Sequence, residues 1–301
     1  MLLVTPGREA AIDNIRRAAT EGRFNDKTEP FDPQWAPAEL KAEILRLARH
    51  IDSPLQRLKR FTARKIVDSW IRRWSDGVND IEGLERLSAL KGPAFLTSNH
   101  FNPFDNGIHR TLAQRCGRGP LVAVSQGTNY VMPGLNGFIL RNIDTIPLIP
   151  EPSYMNGPFR SLLQRSLDAG QFILIYPEQE MWFNYRKPRP EKRGAFLFAT
   201  EYQVPVVPTF VEMVDLPPLV APGFHDVKLV LHVLDPLFPD PAKTPPKTSW
   251  TSAGPTTKPN APATRPATAS PWTTVSPPGT SPAGNRKVSR AGHYAFFAIF
   301  A

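Results

Sequence analysis

Five short apolar runs decide what this chain can fold into: residues 94–97, 121–124, 172–176, 204–211 and 227–234. Each has strand length and is bounded by turn-forming or polar residues. The clearest is Phe172-Ile173-Leu174-Ile175-Tyr176. It follows a segment, 156–169, in which Phe159, Leu162, Leu163 and Leu167 recur at helical spacing, and Gly170 ends that helix. Strands alternating largely with helices predict an α/β fold with a single mixed or parallel sheet flanked by helices.

The first run opens into a polar tip, Ser98-Asn99-His100-Phe101-Asn102-Pro103-Phe104-Asp105. Pro103 disfavours helix at Asn102, so the chain turns before the helix expected at 106–115. Asp105 stands where that helix would be capped. His100 is thereby predicted on a strand-to-helix loop, with Asp105 within reach of one imidazole nitrogen. A carboxylate on one nitrogen fixes the tautomer and leaves the other to take a proton from a hydroxyl. A plain helix cap is the other role the same spacing allows.

Four segments in this order resemble the glycerolipid acyltransferases. Asn99-His100 through Asp105 fits the family's N-H-x-x-x-x-D, and residues 137–148 are similar to its second motif, a Gly-aromatic stretch ending in an apolar run. Tyr176-Pro177-Glu178 matches the first half of F-P-E-G-T-R-S, and Val204-Pro205-Val206-Val207-Pro208 matches V-P-x-x-P. The Gly-Thr-Arg of the third motif is missing; Gln179-Glu180-Met181-Trp182-Phe183-Asn184-Tyr185-Arg186-Lys187 follow instead. The arginine that often closes the second motif is missing too. The resemblance, covering roughly residues 80–215, identifies a divergent branch.

What the resemblance implies is acyl transfer from acyl-coenzyme A or acyl carrier protein to the hydroxyl of a lysophospholipid or glycerol-phosphate-type acceptor. His100 is then the general base and Asp105 its partner, with no cofactor and no metal. Glu178 is the carboxylate expected to contact the acceptor's head or to support the histidine loop. Arg141, Arg186, Lys187 or Arg189 replaces the phosphate-holding arginines, and the aromatics of 182–185 suit an acyl chain or an interface. Glu178 and Glu180 together also admit glycoside hydrolysis or a metal, although i and i+2 after a strand point to different sides. A lipid-binding scaffold without chemistry and an acyl hydrolase are the remaining alternatives.

Charge weakens the case for nucleic acid. The formal net charge is +9, but seven of the cations and none of the acids lie beyond residue 240, leaving +2 on residues 1–240. The lone Cys116 excludes an internal disulfide and reads as a small buried residue. His225 and His232, in or beside a strand, read as structural. No apolar stretch has the ~18–20 residues that span a bilayer, and the first residues lack a signal peptide's basic leader. The expectation is a cytoplasmic protein, soluble or peripheral on the inner membrane face.

Residues 1–78 are expected to be helical, over 9–23, 37–51 and 54–74, and to pack on the core or on a membrane. The last of these carries seven cations against Asp68, with Val67, Trp70, Ile71 and Trp74 on one face. Such a helix suits an anionic membrane surface. Residues 79–240 hold the catalytic unit, with 126–134 expected as a loop. From 241 to 301 the sequence holds 11 prolines and no periodicity, which predicts a disordered tail. An out-of-frame tail is the alternative: codons for 246–263 exist whose shifted frame encodes a Glu/Arg/Tyr-rich helix.

Overall fold

The computed structural model describes residues 8–30, 35–48, 53–75, 80–87, 90–221, 224–240 and 250–252. Helices are α1 (Arg8–Thr20), α2 (Pro37–Ala48), α3 (Pro54–Ser75), α4 (Asn106–Arg115), α5 (Gly127–Tyr130), α6 (Gly134–Asn142), α7 (Pro152–Tyr154), α8 (Arg160–Asp168) and α9 (Gly194–Tyr202). Strands are β1 (Asp80–Glu82), β2 (Ala94–Thr97), β3 (Val122–Gln126), β4 (Thr145–Leu148), β5 (Phe172–Ile175), β6 (Val206–Ala221), β7 (Phe224–Val233), β8 (Leu237–Pro239) and β9 (Trp250–Ser252).

They form one mixed sheet of order β1-β7-β6-β2-β5-β3-β4, with β8 on the start of β6 and β9 on β8. The chain is therefore α/β. The central strands are parallel: Phe95 lies in register with Ile173 on one side and Val206 on the other. β6 and β7 run antiparallel as a long ribbon. Central parallel strands are covered on both faces, so their sequences are apolar throughout. Leu96, Leu174 and Val207 pack with Ile108 and Leu112 of α4, while Phe95, Ile173 and Val206 pack with Phe159 and Leu163. Each large side chain so buried stabilises the fold by about 1.5–3 kcal/mol before entropy is counted.

Several elements differ from expectation. The 126–134 segment contains α5, with α6 beginning at its end, because Leu40 and Ile44 of α2 close over Gly127 and supply tertiary packing that local propensity lacks. β4 carries Pro147, which the end position of that strand tolerates. Ahead of α8 the chain makes a π turn over Met155–Phe159 around Pro158. Gly137 is required sterically, since a Cβ there would lie 1.6 Å from the Met132 carbonyl oxygen. In the tail, β9 is a short strand where disorder is expected; the rest of 241–301 lies outside the described residues, as do 1–7.

The basic helix α3 packs against the core. Ala63 and Ile71 are buried, and the Trp70 ring lies 4.6 Å from that of Phe104, inside the histidine loop. Arg64 binds Asp144 through two bonds of 2.7 and 2.6 Å. The tryptophan face thus turns inward at Trp70, as the core-packing alternative for this helix has it. Leu55, Leu58 and Phe61 are instead the outward apolar residues, at 61%, 60% and 57% exposure.

Candidate active site

The site begins where β2 ends. Asn99 seals the strand end to β6: its Oδ1 accepts from Val211 N at 2.8 Å and its Nδ2 donates to Val211 O at 3.0 Å. His100 follows, and the chain turns back at Asp105. The Asp105 side chain makes no capping bond to α4. That corrects the capping role, because its carboxylate faces backward into the loop. Oδ2 accepts from Phe101 N at 2.9 Å and Asn102 N at 3.2 Å, and lies 2.8 Å from His100 Nδ1. Oδ1 accepts the Tyr176 hydroxyl at 2.5 Å.

Burial pushes the Asp105 carboxyl upward, but the imidazole, the Tyr176 hydroxyl and the Phe101 N–H outweigh it and hold the group below its usual range. It is ionised at neutral pH. The same burial, followed by the nearby carboxylate, raises Tyr176 well above an ordinary phenol, so its hydroxyl stays a donor. His100 keeps 22% of its side chain exposed against 1% for Asp105. With Nδ1 turned to the carboxylate, Nε2 makes no bond among the described residues. The arrangement orients an imidazole that is partly open to solvent and leaves one ring nitrogen without a protein partner among the described residues, the geometry a general base needs.

A second layer holds this loop from behind. The Trp182 N–H donates to His100 O at 3.2 Å and the Asn184 N–H to Phe101 O at 2.8 Å. Glu178 Oε2 accepts from His100 N at 3.3 Å, and Oε1 from Arg189 N at 2.8 Å. The Arg189 guanidinium pairs with Glu178 at 3.0 Å, both side chains being nearly inaccessible at 0% and 5%. Arg189 also donates to the carbonyls of Phe24 and Glu180 and lies over the Trp182 ring. Ile12, Ile15 and Ala18 of α1 pack on Trp182, Phe183 and Tyr185.

The structure therefore brings His100 and Asp105 together, with Glu178 and Arg189 behind their loop, and commits Arg141 and Arg186 to other partners. Glu178, expected either to reach the acceptor or to support the histidine loop, is buried and ion-paired, and takes the second role. Arg186 is committed to Asp215 at 2.5 Å and to Met213 O. Arg141 donates to the carbonyls of Tyr130 and Met132, each at 2.9 Å, and so closes the turn before α6. Lys187 is half-buried and makes no ion pair among the described residues. The aromatics of 182–185 form core with α1 rather than an acyl-chain wall, because α1 covers them. No group of three His, Cys, Asp or Glu forms a metal set among the described residues. His225 bonds Leu216 O, and His232 lies between Glu82 and Glu212, both on the β6–β7 ribbon.

Sequence reasoning missed two groups. The Tyr176 hydroxyl was signalled by tyrosine in the place of the motif's phenylalanine. His109, four residues after Asp105, is fully buried with Nδ1 3.2 Å from Asp105 O and Nε2 3.0 Å from Thr209 Oγ1. Burial lowers it to about 4, so it is neutral in the folded protein at neutral pH.

Residues 78–212 match the family model described as Acyltransferase. Among solved structures, the chain is similar to the 1-acyl-sn-glycerophosphate (LPA) acyltransferase PlsC from Thermotoga maritima. Identity is 15%, coverage 70% of this chain and 88% of that one, and the TM-score 0.42. No curated protein matches the chain.

Proposed function

Over residues 78–212 the chain belongs to the acyltransferase family, and from that premise we propose that it moves a fatty acyl group from an acyl thioester to the hydroxyl of a lysophospholipid or glycerol-phosphate-type acceptor. One observation carries the proposal: His100 presents a free Nε2 while Nδ1 is 2.8 Å from an ionised, buried Asp105. Nε2 removes the acceptor's hydroxyl proton as the oxygen attacks the thioester carbonyl. The C–S bond breaks, and the imidazolium returns the proton to the departing thiolate. Asp105 stabilises the imidazolium between those steps. Cys116 is no rival nucleophile, since burial raises its thiol and it sits just past the far end of α4.

The acceptor is a lipid, so the outward face of α3 belongs to the same reading. Leu55, Leu58 and Phe61 are flanked by exposed Arg57, Lys59 and Lys65, a pattern that suits an anionic bilayer. No helix among the described residues is long and apolar enough to cross a membrane.

The test is thiol release from acyl-coenzyme A with a panel of lysophospholipids, and mass spectrometry of the product. His100→Ala is expected to lose at least ~10²-fold in turnover with its melting temperature kept. Near-native turnover would remove the base from His100. Thiol release without any acceptor would make the protein a hydrolase.

A further inference from the structure

Tyr176 touches both members of the catalytic pair. Its ring stacks on the His100 imidazole, with centroids 4.0 Å apart and planes 10° from parallel. Its hydroxyl donates to Asp105 Oδ1 at 2.5 Å, the oxygen that His100 and the loop amides leave unused. The residue stands one position beyond β5, whose parallel pairing with β2 brings it level with the histidine loop. Phenylalanine in the same place would keep the stack and lose the bond.

We infer that Tyr176 is a positioning residue of the His100–Asp105 pair, its ring holding the imidazole plane and its hydroxyl fixing Asp105 and moderating how strongly that carboxylate draws on the imidazolium. The inference rests on His100 being the base. Two physical effects are joined in it. A ring face against an imidazole restricts the rotation that would move Nε2 off line, and it interacts favourably with the imidazolium when that forms. A charge-assisted hydrogen bond to Oδ1 spreads the carboxylate's charge away from Oδ2. Without it, Asp105 keeps its two amide donors and its place, but more charge faces Nδ1. The imidazolium is then stabilised further, and the base loses its proton only at higher pH.

The charged and titratable groups around the pair come from two places. Asp105, neutral His109 and buried Arg110 lie at or on α4, and the Glu178–Arg189 pair closes the loop after β5. Tyr176→Phe changes none of these.

The experiment compares wild type, Tyr176→Phe, Tyr176→Leu and His100→Ala in the full chain. Kinetics with acyl-coenzyme A and a lysophospholipid are read beside the NMR titration of the His100 ring. For Tyr176→Phe, kcat falls about tenfold with KM for both substrates kept, and the acid limb of kcat/KM and the His100 titration both move upward by about half a pH unit or more. Tyr176→Leu, losing the stack as well, falls further in kcat. The titration needs no turnover, so it remains readable in a slow variant.

A Tyr176→Phe protein with unchanged kcat and unchanged titration overturns the inference. So does a loss of activity with no movement of the titration, which would be ordinary destabilisation. A His100→Ala protein that still turns over overturns the reading of the base instead, and separates that failure from this one.

Discussion

Asp105→Asn isolates the charge of the carboxylate paired with His100, because asparagine keeps its volume and one of its acceptors. Four donors converge on the wild-type group: the His100 ring at 2.8 Å, the amides of Phe101 and Asn102 at 2.9 and 3.2 Å, and the Tyr176 hydroxyl at 2.5 Å. An amide oxygen in the place of Oδ2 satisfies the first three, while the NH2 meets the tyrosine hydroxyl, which rotates to accept. The fold tolerates this; the imidazolium does not. Two unit charges about 4 Å apart, at the effective dielectric of ~20 that suits protein sites, attract by about 4 kcal/mol. A neutral hydrogen bond returns about 1 kcal/mol of that. The remaining ~3 kcal/mol, where about 1.4 kcal/mol is a decade, predicts roughly a hundredfold loss of kcat. Steady-state thiol release at neutral pH measures it, with circular dichroism to verify folding. The acid limb of the pH profile should also move downward, opposite to the shift expected of Tyr176→Phe. Turnover within about threefold of wild type would refute the idea that this charge supports the base.

Two other outcomes follow from groups outside the reacting pair. His109 is buried and lowered to about 4, against an unfolded value near 6.5. The unfolded chain therefore binds a proton between those values that the folded chain refuses, and stability must fall as pH drops through that window. Over the window the loss approaches about 3 kcal/mol, and urea unfolding at several pH values should show a shallower slope in His109→Gln. On α3, replacing Leu55, Leu58 and Phe61 by serine should abolish co-sedimentation with vesicles of anionic phospholipid. Turnover on a short-chain, water-soluble acceptor should remain near wild type; retained sedimentation would refute the assignment of that face.

The parts of this molecule legible in the sequence were those where local pattern and tertiary demand agree. The β2 and β5 runs read as strands because both faces of each strand are buried, and a strand buried on both sides has no polar alternation to obscure it. The His100–Asp105 pair was legible because its geometry is made within six residues by one turn. The pairing of Arg186, and the choice between the two roles expected of Glu178, were not legible for the opposite reason. Their fate depends on residues far along the chain, Asp215 on the β6–β7 ribbon for one and Arg189 for the other, and spacing carries no trace of such pairing. The cover over the tryptophan face of α3 stayed open between core and membrane because periodicity identifies an apolar stripe without saying whether lipid or protein covers it.

The missing Gly-Thr-Arg raises the same question of what covers a segment. Its absence reads as a lost function, yet the segment standing there has a structural task that begins outside it. Trp182 and Asn184 bond the carbonyls of His100 and Phe101, so the 182–184 strip acts as a short edge for the histidine loop. That strip is covered by α1 and tied to the chain after α1 by the bonds of Trp182 Nε1 to Asp26 O and of Arg189 to Phe24 O. Arg189 is a buried cation, and only Glu178 among the described residues is ion-paired with it; a buried pair of this kind is costly to break from either side, by about 3–5 kcal/mol. The backbone position of His100, through its N–H on Glu178 and its carbonyl on Trp182, thus depends on a helix more than eighty residues upstream. In this chain α1 thus helps to hold the loop that carries His100, through the segment that stands in place of the third motif's Gly-Thr-Arg.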